Sequence, residues 1–419
     1  MRWFTGVVFT GVVVVLLTGS LDACTAGTQP VPDSTSASLS TGAASASSGS
    51  GTSSAAGAPT AGVPPTSSPS APTGSGHGVD PLSGWTLEEK VGQIVMVGVS
   101  TSAPQRSSHD VVASAHVGNV FLQGRTSAGR QRVAALVHWF TDQVPSGATH
   151  GAPMIVATDQ EGGLVQTLSG DGFSAIPSAL EQGGLPPAEL RSAAASWGSE
   201  LAAAGVTLDL APVVDVPTEG GAASNAPVGA LRRAYGFAAA DVEAHADAFT
   251  DGLAGAGVAV APKHFPGLGR VTGNTDSAAG VVDDVTDASS EQVQVFRHEV
   301  ARGARFVMVG TASYARLDPG TPAAFSPAVV QGLLRGQLGF SGVVITDDLS
   351  GAAQVAAWSP GDRAVKAIEA GCDIVLASKD PSVVPAMVSA LVERARTDPA
   401  FAAQVDQAAR RVLAAKGVA

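Results

Sequence analysis

The sequence predicts an α/β fold, a single (β/α)8 barrel of the TIM type, and three observations carry that expectation. Eight short runs rich in Val and Ile recur along the chain: Ile94–Val99, Val117–Leu122, Met154–Thr158, Val206–Pro212, Val258–Pro262, Phe306–Gly310, Val343–Thr346 and Asp373–Ala377. They are continuously apolar rather than alternating, as strands buried on both faces are, and this favours parallel pairing. Ala-rich stretches with helical spacing separate them, giving a βαβα alternation. Polar residues gather just after the runs: Asp159, Asp215, Lys263 with His264, Thr311, Asp347, and Ser378-Lys379-Asp380. In a barrel these ends converge on one face, whereas an open doubly wound sheet spreads them along a crevice with one dominant switch point.

Taken in order, the chain opens with Arg2 and an apolar run, Val7 to Leu17, too short to span a bilayer and reading as an export signal over residues 1–23. Leu21-Asp22-Ala23-Cys24 looks like a lipobox, with Cys24 as the acylated residue. Acyl chains there would bury enough CH2 groups to hold a protein at the outer face of the cell membrane. Residues 24–78 are almost entirely Ser, Thr, Ala, Gly and Pro. Such a segment cannot bury enough apolar surface to offset the entropy of ordering and reads as a disordered tether. Residues 79–419 are then expected to hold the barrel.

Within that domain Thr86-Leu87-Glu88-Glu89 is a capping-box pattern that starts a first helix. The expected helices between strands are Arg130–Gln143, Ala188–Ala204, Ala238–Ala254, Ser290–Arg302, Ala328–Gln337 and Arg363–Ala370, with Val383–Arg396 and Phe401–Ala415 closing the domain. The two cysteines are Cys24 and Cys372, and Cys372 sits in an apolar run, so no internal disulfide is expected.

Composition narrows the partners. The formal net charge is −12 and Lys and Arg show no clustered run, which argues against nucleic acid and against an electrostatic membrane surface. A neutral substrate fits better, with the membrane met only through the N-terminal lipid. No metal or other cofactor is expected, because the eight histidines are scattered and neither H-E-x-x-H nor C-x-x-C occurs. A G-x-S-x-G elbow is absent too.

Two places read as chemistry from the residues alone. Asp347 and Asp348 end a strand that otherwise holds Val, Ile and Thr; paired carboxylates there serve either glycosidic cleavage or a helix N-cap. Lys263 and His264 leave the fifth strand into a glycine-rich loop whose spacing, G-x-G-x-x-x-G, fails the dinucleotide fingerprint. Hydrogen bonding to sugar hydroxyls is the better use for that pair, with a satisfied core histidine as the alternative for His264.

Lys263-His264-Phe265-Pro266-Gly267-Leu268-Gly269 resembles the KHFPGxG signature of bacterial β-N-acetylglucosaminidases in glycoside hydrolase family 3. Gly342 to Leu349 looks like the strand that carries that family's nucleophile, and Asp159 to Gln166 resembles its D-x-E-G-G-x-V-Q turn. Leu208 to Asp215 looks like its fourth strand, and Gly229 to Gly236 like its G-x-R-S-[FY]-G loop, slightly lengthened. The likeness runs from Leu87 through Asp373. It implies Asp347 as nucleophile of a retaining exo-β-N-acetylglucosaminidase, with Asp159, Arg233, Lys263 and His264 binding the sugar and Arg233 offering its guanidinium fork. The implied substrate is a small N-acetylglucosamine-containing fragment of peptidoglycan, and the implied protein is a monomer.

The chain departs from the pattern where that branch places an acid/base histidine, in an Asp-Ser-His dyad: here the residues are Asp276-Ser277-Ala278. Leu268 replaces a second glycine-loop histidine, and Thr167 stands where an arginine is expected. Asp276 is then the candidate acid/base or loop carboxylate, with Gly267, Gly269 and Gly273 as hinges for loop closure. The rival readings are a weakly active or non-catalytic glycan-binding lipoprotein, a β-glucosidase, and a phosphorylase.

Overall fold

The computed structural model describes residues 80–142 and 149–418. The export signal, Cys24 and the tether lie outside the described residues. Helix α1 (Leu87–Gln93) starts as the capping box dictates: the Thr86 hydroxyl accepts the Glu89 N–H at 3.2 Å, and Glu89 Oε2 accepts the Thr86 N–H at 2.7 Å.

Eight strands follow at the predicted places: β1 (Val95–Ser100), β2 (Asn119–Gln123), β3 (Ile155–Thr158), β4 (Leu208–Asp209), β5 (Ala259–Val260), β6 (Phe306–Val309), β7 (Val343–Thr346) and β8 (Val375–Ala377). Six form one parallel sheet in the order β8-β1-β2-β3-β4-β5, and β7 pairs with β6, also in parallel. Isolated parallel bridges join the two sets at Phe265 with Val309 and at Ile345 with Ile374.

Strands β4 and β5 are shorter than their apolar runs, because Pro212 and Pro262 have no N–H to give to a ladder. Beyond them the chains stay in step through Lys263, whose N–H donates to Pro212 O at 3.1 Å and whose carbonyl accepts the Val214 N–H at 2.8 Å. Lys263 is thereby fixed by backbone bonds at the exit of β5.

The helices are α2 (Arg106–Ser114), α3 (Arg130–Thr141), α4 (Ala179–Gln182), α5 (Pro187–Ala203), α6 (Ala239–Gly255), α7 (Glu291–Ala301), α8 (Pro360–Ala370), α9 (Val384–Thr397) and α10 (Pro399–Ala415). Ala328–Gln337, expected as an α-helix, is wound as a π-helix. Helix α8 begins three residues before the expected Arg363, with the Ser359 hydroxyl capping the Asp362 N–H at 3.2 Å and Pro360 in the first turn.

The continuous apolar character of the strands has a direct counterpart in packing. Met96, Phe121, Ile155, Leu208, Phe306, Met308, Ile345 and Leu376 join one buried cluster, while their neighbours Val95, Val97, Val120, Val156, Val307 and Val344 join a second with the helices. Strands β1, β2, β3, β6, β7 and β8 therefore bury both faces, and each large side chain so buried contributes roughly 1.5–3 kcal/mol.

Candidate active site

The segments leaving the C-terminal ends of the strands enclose a cavity of about 370 Å3. Its lining brings together Asp159, Arg233, Lys263, His264, Asp276 and Asp347. A larger cavity, about 600 Å3, lies at the strand beginnings and is lined by Ile155, Leu208, Ala259 and Phe306 among others. That lining is mainly apolar and holds none of the candidate catalytic or sugar-binding residues, so convergence of polar groups rather than volume selects the smaller cavity.

Lys263 is buried, and its ammonium stands 2.6 Å from both Asp159 Oδ1 and Glu161 Oε1. Glu161 is buried as well and takes a bidentate fork from Arg233, with Nε and Nη2 each at 2.8 Å. Burial alone would raise the Glu161 carboxyl, but Arg233 and Lys263 override it and hold the group well below the usual carboxylate range. Burial likewise opposes the charge on Lys263, and the two carboxylates reverse that, pushing it up to about 12. The result is a fixed floor in which Asp159, Lys263, Glu161 and Arg233 form one chain of ion pairs.

Arg233 thus differs from the expectation. Its fork is spent on Glu161 and its Nη1 donates to Pro227 O at 2.7 Å, so it meets the cavity as a locked charge rather than as an open fork for a sugar. Glu161, read as a turn residue, is the group that does the locking. The ammonium of Lys263 has three donors, of which two are engaged here.

His264 is positioned by Asp215, which accepts from His264 Nδ1 at 2.8 Å, from the His264 N–H at 3.2 Å and from the Leu268 N–H at 2.7 Å. A proton on Nδ1 leaves Nε2 as the acceptor, 3.4 Å from Arg233 Nη2. Asp215 is a strand-end residue whose orienting of the imidazole only the fold reveals.

Asp347 and Asp348 divide the two uses that their spacing left open. Asp348 is buried and accepts from the N–H groups of Ser350, Gly351 and Ser378 and from the Ser350 hydroxyl, fixing the turn after β7. Asp347 is half-buried, lines the cavity, and receives only the Asp348 N–H on Oδ1 at 2.8 Å. Among the described residues no cation lies within ion-pair distance of Asp347.

Asp276, on the segment after β5, lines the same cavity. Its surface is exposed to solvent, yet it sits in a concave mouth where the surrounding protein disfavours charge. That desolvation, with the negative charge of Asp347 added, pushes its carboxyl up to about 6.

The glycine loop is closely packed at its base. A Cβ at Gly269 would stand 2.3 Å from Val216 O and 2.4 Å from Gln292 Nε2. The Leu268 and Val271 carbonyls accept from Asn225 Nδ2 at 2.7 Å each, and the Tyr314 hydroxyl donates to Gly267 O at 2.8 Å. These bonds hold the loop at its base.

Residues 86–415 match the model of the glycosyl hydrolase family 3 N-terminal domain. The chain belongs to glycoside hydrolase family 3. A β-hexosaminidase of Stenotrophomonas maltophilia is 33% identical over 293 residues, which cover 68% of this chain and 82% of that protein. The crystal structure of a β-N-acetylhexosaminidase from Beutenbergia cavernae is 56% identical with a TM-score of 0.78, covering 79% of this chain and 98% of that one. A family 3 β-N-acetylglucosaminidase from Paenibacillus sp. is 30% identical with a TM-score of 0.71, over 80% of this chain and 62% of that one. The parallel α/β architecture is the TIM-like fold of this family, and the chain is a glycosidase.

Proposed function

We propose that this family 3 glycosidase is a retaining exo-β-N-acetylhexosaminidase in which Asp347 attacks the anomeric carbon and Asp276 donates the proton. The observation that carries this reading is the contrast within one cavity. Asp347 is a carboxylate without an ion-pair partner among the described residues, and it faces Asp276, whose carboxyl is lifted toward neutrality. One group is suited to attack and the other to hold a proton at the same pH.

In the first step an Asp347 oxygen bonds to C1 while the C1–O glycosidic bond breaks and the Asp276 proton passes to the leaving oxygen. Water then attacks C1, Asp276 takes its proton, and the ester bond to Asp347 breaks to return the carboxylate. The sugar is held by Asp159, by the remaining donor of Lys263 and by His264 Nε2, on a floor stiffened by Glu161 and Arg233.

Several further points belong to the same reading. The sheet closes into an eight-stranded barrel; the two inter-sheet bridges and an inner cluster with side chains from β1, β2, β3, β4, β6, β7 and β8 support this. The protein is exported, lipidated at Cys24 and held at the outer face of the cell membrane, which rests on the Val7 to Leu17 run and the lipobox. Its substrate is an N-acetylglucosamine-terminated fragment of peptidoglycan.

The test is hydrolysis of an aryl N-acetyl-β-glucosaminide beside the matching β-glucoside, with Asp347→Asn as control. Turnover of the first substrate alone, lost in the variant, is the expected result. Binding without hydrolysis would favour a glycan-binding lipoprotein. Sugar 1-phosphate formed on adding phosphate would make the enzyme a phosphorylase.

A further inference from the structure

We propose that Gln354 is a positioning residue that fixes the segment bearing Asp276 against the segment bearing Asp347; this rests on the reading of Asp276 as the proton donor. Gln354 lies in the single turn Ala353–Val355 that follows β7, and it is buried at 7% exposure. It does not line the cavity, so it cannot act on the sugar directly. Its side-chain amide instead spans to the other segment, where Oε1 accepts the Val281 N–H at 2.8 Å and Nε2 donates to Val281 O at 3.0 Å.

The backbone of the same turn completes the clasp. The Gln354 N–H donates to Thr275 O at 3.0 Å and the Ala353 N–H to Asp276 O at 3.3 Å. Four hydrogen bonds thus straddle Asp276, at residues 275, 276 and 281. The stretch between, Ser277 to Gly280, is largely exposed, and the Ser277 and Ala278 N–H groups donate back to Asn274 O. Val281 O also accepts the Ser313 N–H at 3.1 Å, so the segment after β6 is tied in at the same point.

The chemistry asks for an amide. Only a side chain carrying a donor and an acceptor on one carbon can pair with both the N–H and the C=O of Val281. Glutamate keeps the acceptor and loses the donor, and methionine fills the volume and makes neither bond. Proton transfer needs the acid within hydrogen-bond reach of the leaving oxygen, so slack between the two segments would appear in the protonated step and not elsewhere. The titratable groups that line the cavity with Asp276 come from several elements: Asp347 and Asp348 after β7, Lys263 and His264 after β5, Arg233 after β4, Asp159 after β3 and Lys379 after β8. Loosening the clasp changes the distance of Asp276 from all of them.

The experiment uses the full chain and its Gln354→Met, Gln354→Glu and Asp276→Ala variants. It measures kcat/KM on phenyl and 2,4-dinitrophenyl N-acetyl-β-glucosaminides across pH. For Gln354→Met the expected result is a loss of about tenfold on the phenyl substrate, part of the roughly 10²–10⁴-fold a general acid supplies. The dinitrophenyl substrate, which needs no proton, should stay within about threefold, and the basic limb of the pH profile should move down. Gln354→Glu should fall between wild type and Gln354→Met, and it carries the test if the Met variant does not fold. Equal loss on both substrates with an unmoved basic limb overturns the proposal and leaves Gln354 a purely structural amide. Asp276→Ala should show a larger leaving-group dependence, with azide yielding a β-glycosyl azide. If that signature is missing, the proton-donor reading falls and takes the clasp with it; if it is present while the Gln354 variants lack theirs, the clasp alone is wrong.

Discussion

Replacing Glu161 by Gln removes one negative charge while keeping the shape, which isolates what that carboxylate does between two buried cations. Glu161 takes two Arg233 donors at 2.8 Å and stands 2.6 Å from Lys263 Nζ. A glutamine offers one acceptor oxygen and sets an NH2 where the second oxygen was, so one cation is left facing a donor. A hydrogen bond to a charged group is worth about 1.5–3 kcal/mol, and stripping one partner from a buried ion pair costs about 3–5 kcal/mol. The three contacts share one carboxylate and do not add, so the expected loss is about 3–5 kcal/mol. Lys263 keeps Asp159 as a partner; Arg233 is the group stranded. Adding Arg233→Met to Glu161→Gln should therefore recover part of the loss, with a coupling above about 1 kcal/mol in a double-mutant cycle. Urea unfolding with unchanged slope is the assay. A loss below about 1 kcal/mol, or strictly additive single losses, would refute the idea that Glu161 compensates a buried charge.

Two further predictions follow from the same kind of argument. Burial raises the Asp209 carboxyl to about 8 while its Oδ1 accepts the Gln160 N–H at 2.9 Å, so the folded protein holds a proton that the unfolded chain releases near 3.8. The stability from that proton is complete below the unfolded value and is lost as pH rises through about 8. Asp209→Asn should gain on wild type in melting temperature as pH rises from 5 to 9; a constant offset across that range would contradict the assignment. The decline should persist in part, since Glu299 is also raised to about 8 by burial. Gly269→Ala would set a methyl 2.3 Å from Val216 O. Overpacking of that kind costs about 1–3 kcal/mol, and a neutral effect in the same urea assay would show the loop to be freer than its contacts imply.

The strands were legible because a strand buried on both faces must be apolar throughout, and Val95, Met96 and Val97 now sit in alternating clusters. The shortness of β4 and β5 was legible too, in Pro212 and Pro262, had the missing N–H groups been counted. Helix α2, Arg106–Ser114, is hard to see in the sequence because its large apolar residues are only the adjacent pair Val111 and Val112. In the cavity, Asp159, Lys263, His264 and Asp347 followed from a strand-end rule, whereas Arg233 and Asp276 needed the family resemblance. Glu161 was hidden by its neighbours: two glycines beside it signalled a turn, and its partner Arg233 lies 72 residues away, a pairing that only the fold creates. The clasp of Gln354 on Val281 spans 73 residues and was invisible for the same reason.

The most direct test of the central claim is covalent trapping. A fluorinated N-acetylglucosaminyl donor slows release of the glycosyl-enzyme, and mass spectrometry of the digested protein locates the adduct. The account predicts a label on the peptide containing Asp347, absent in Asp347→Asn. A label on another carboxylate, or turnover of the donor with inversion and no adduct, would contradict it.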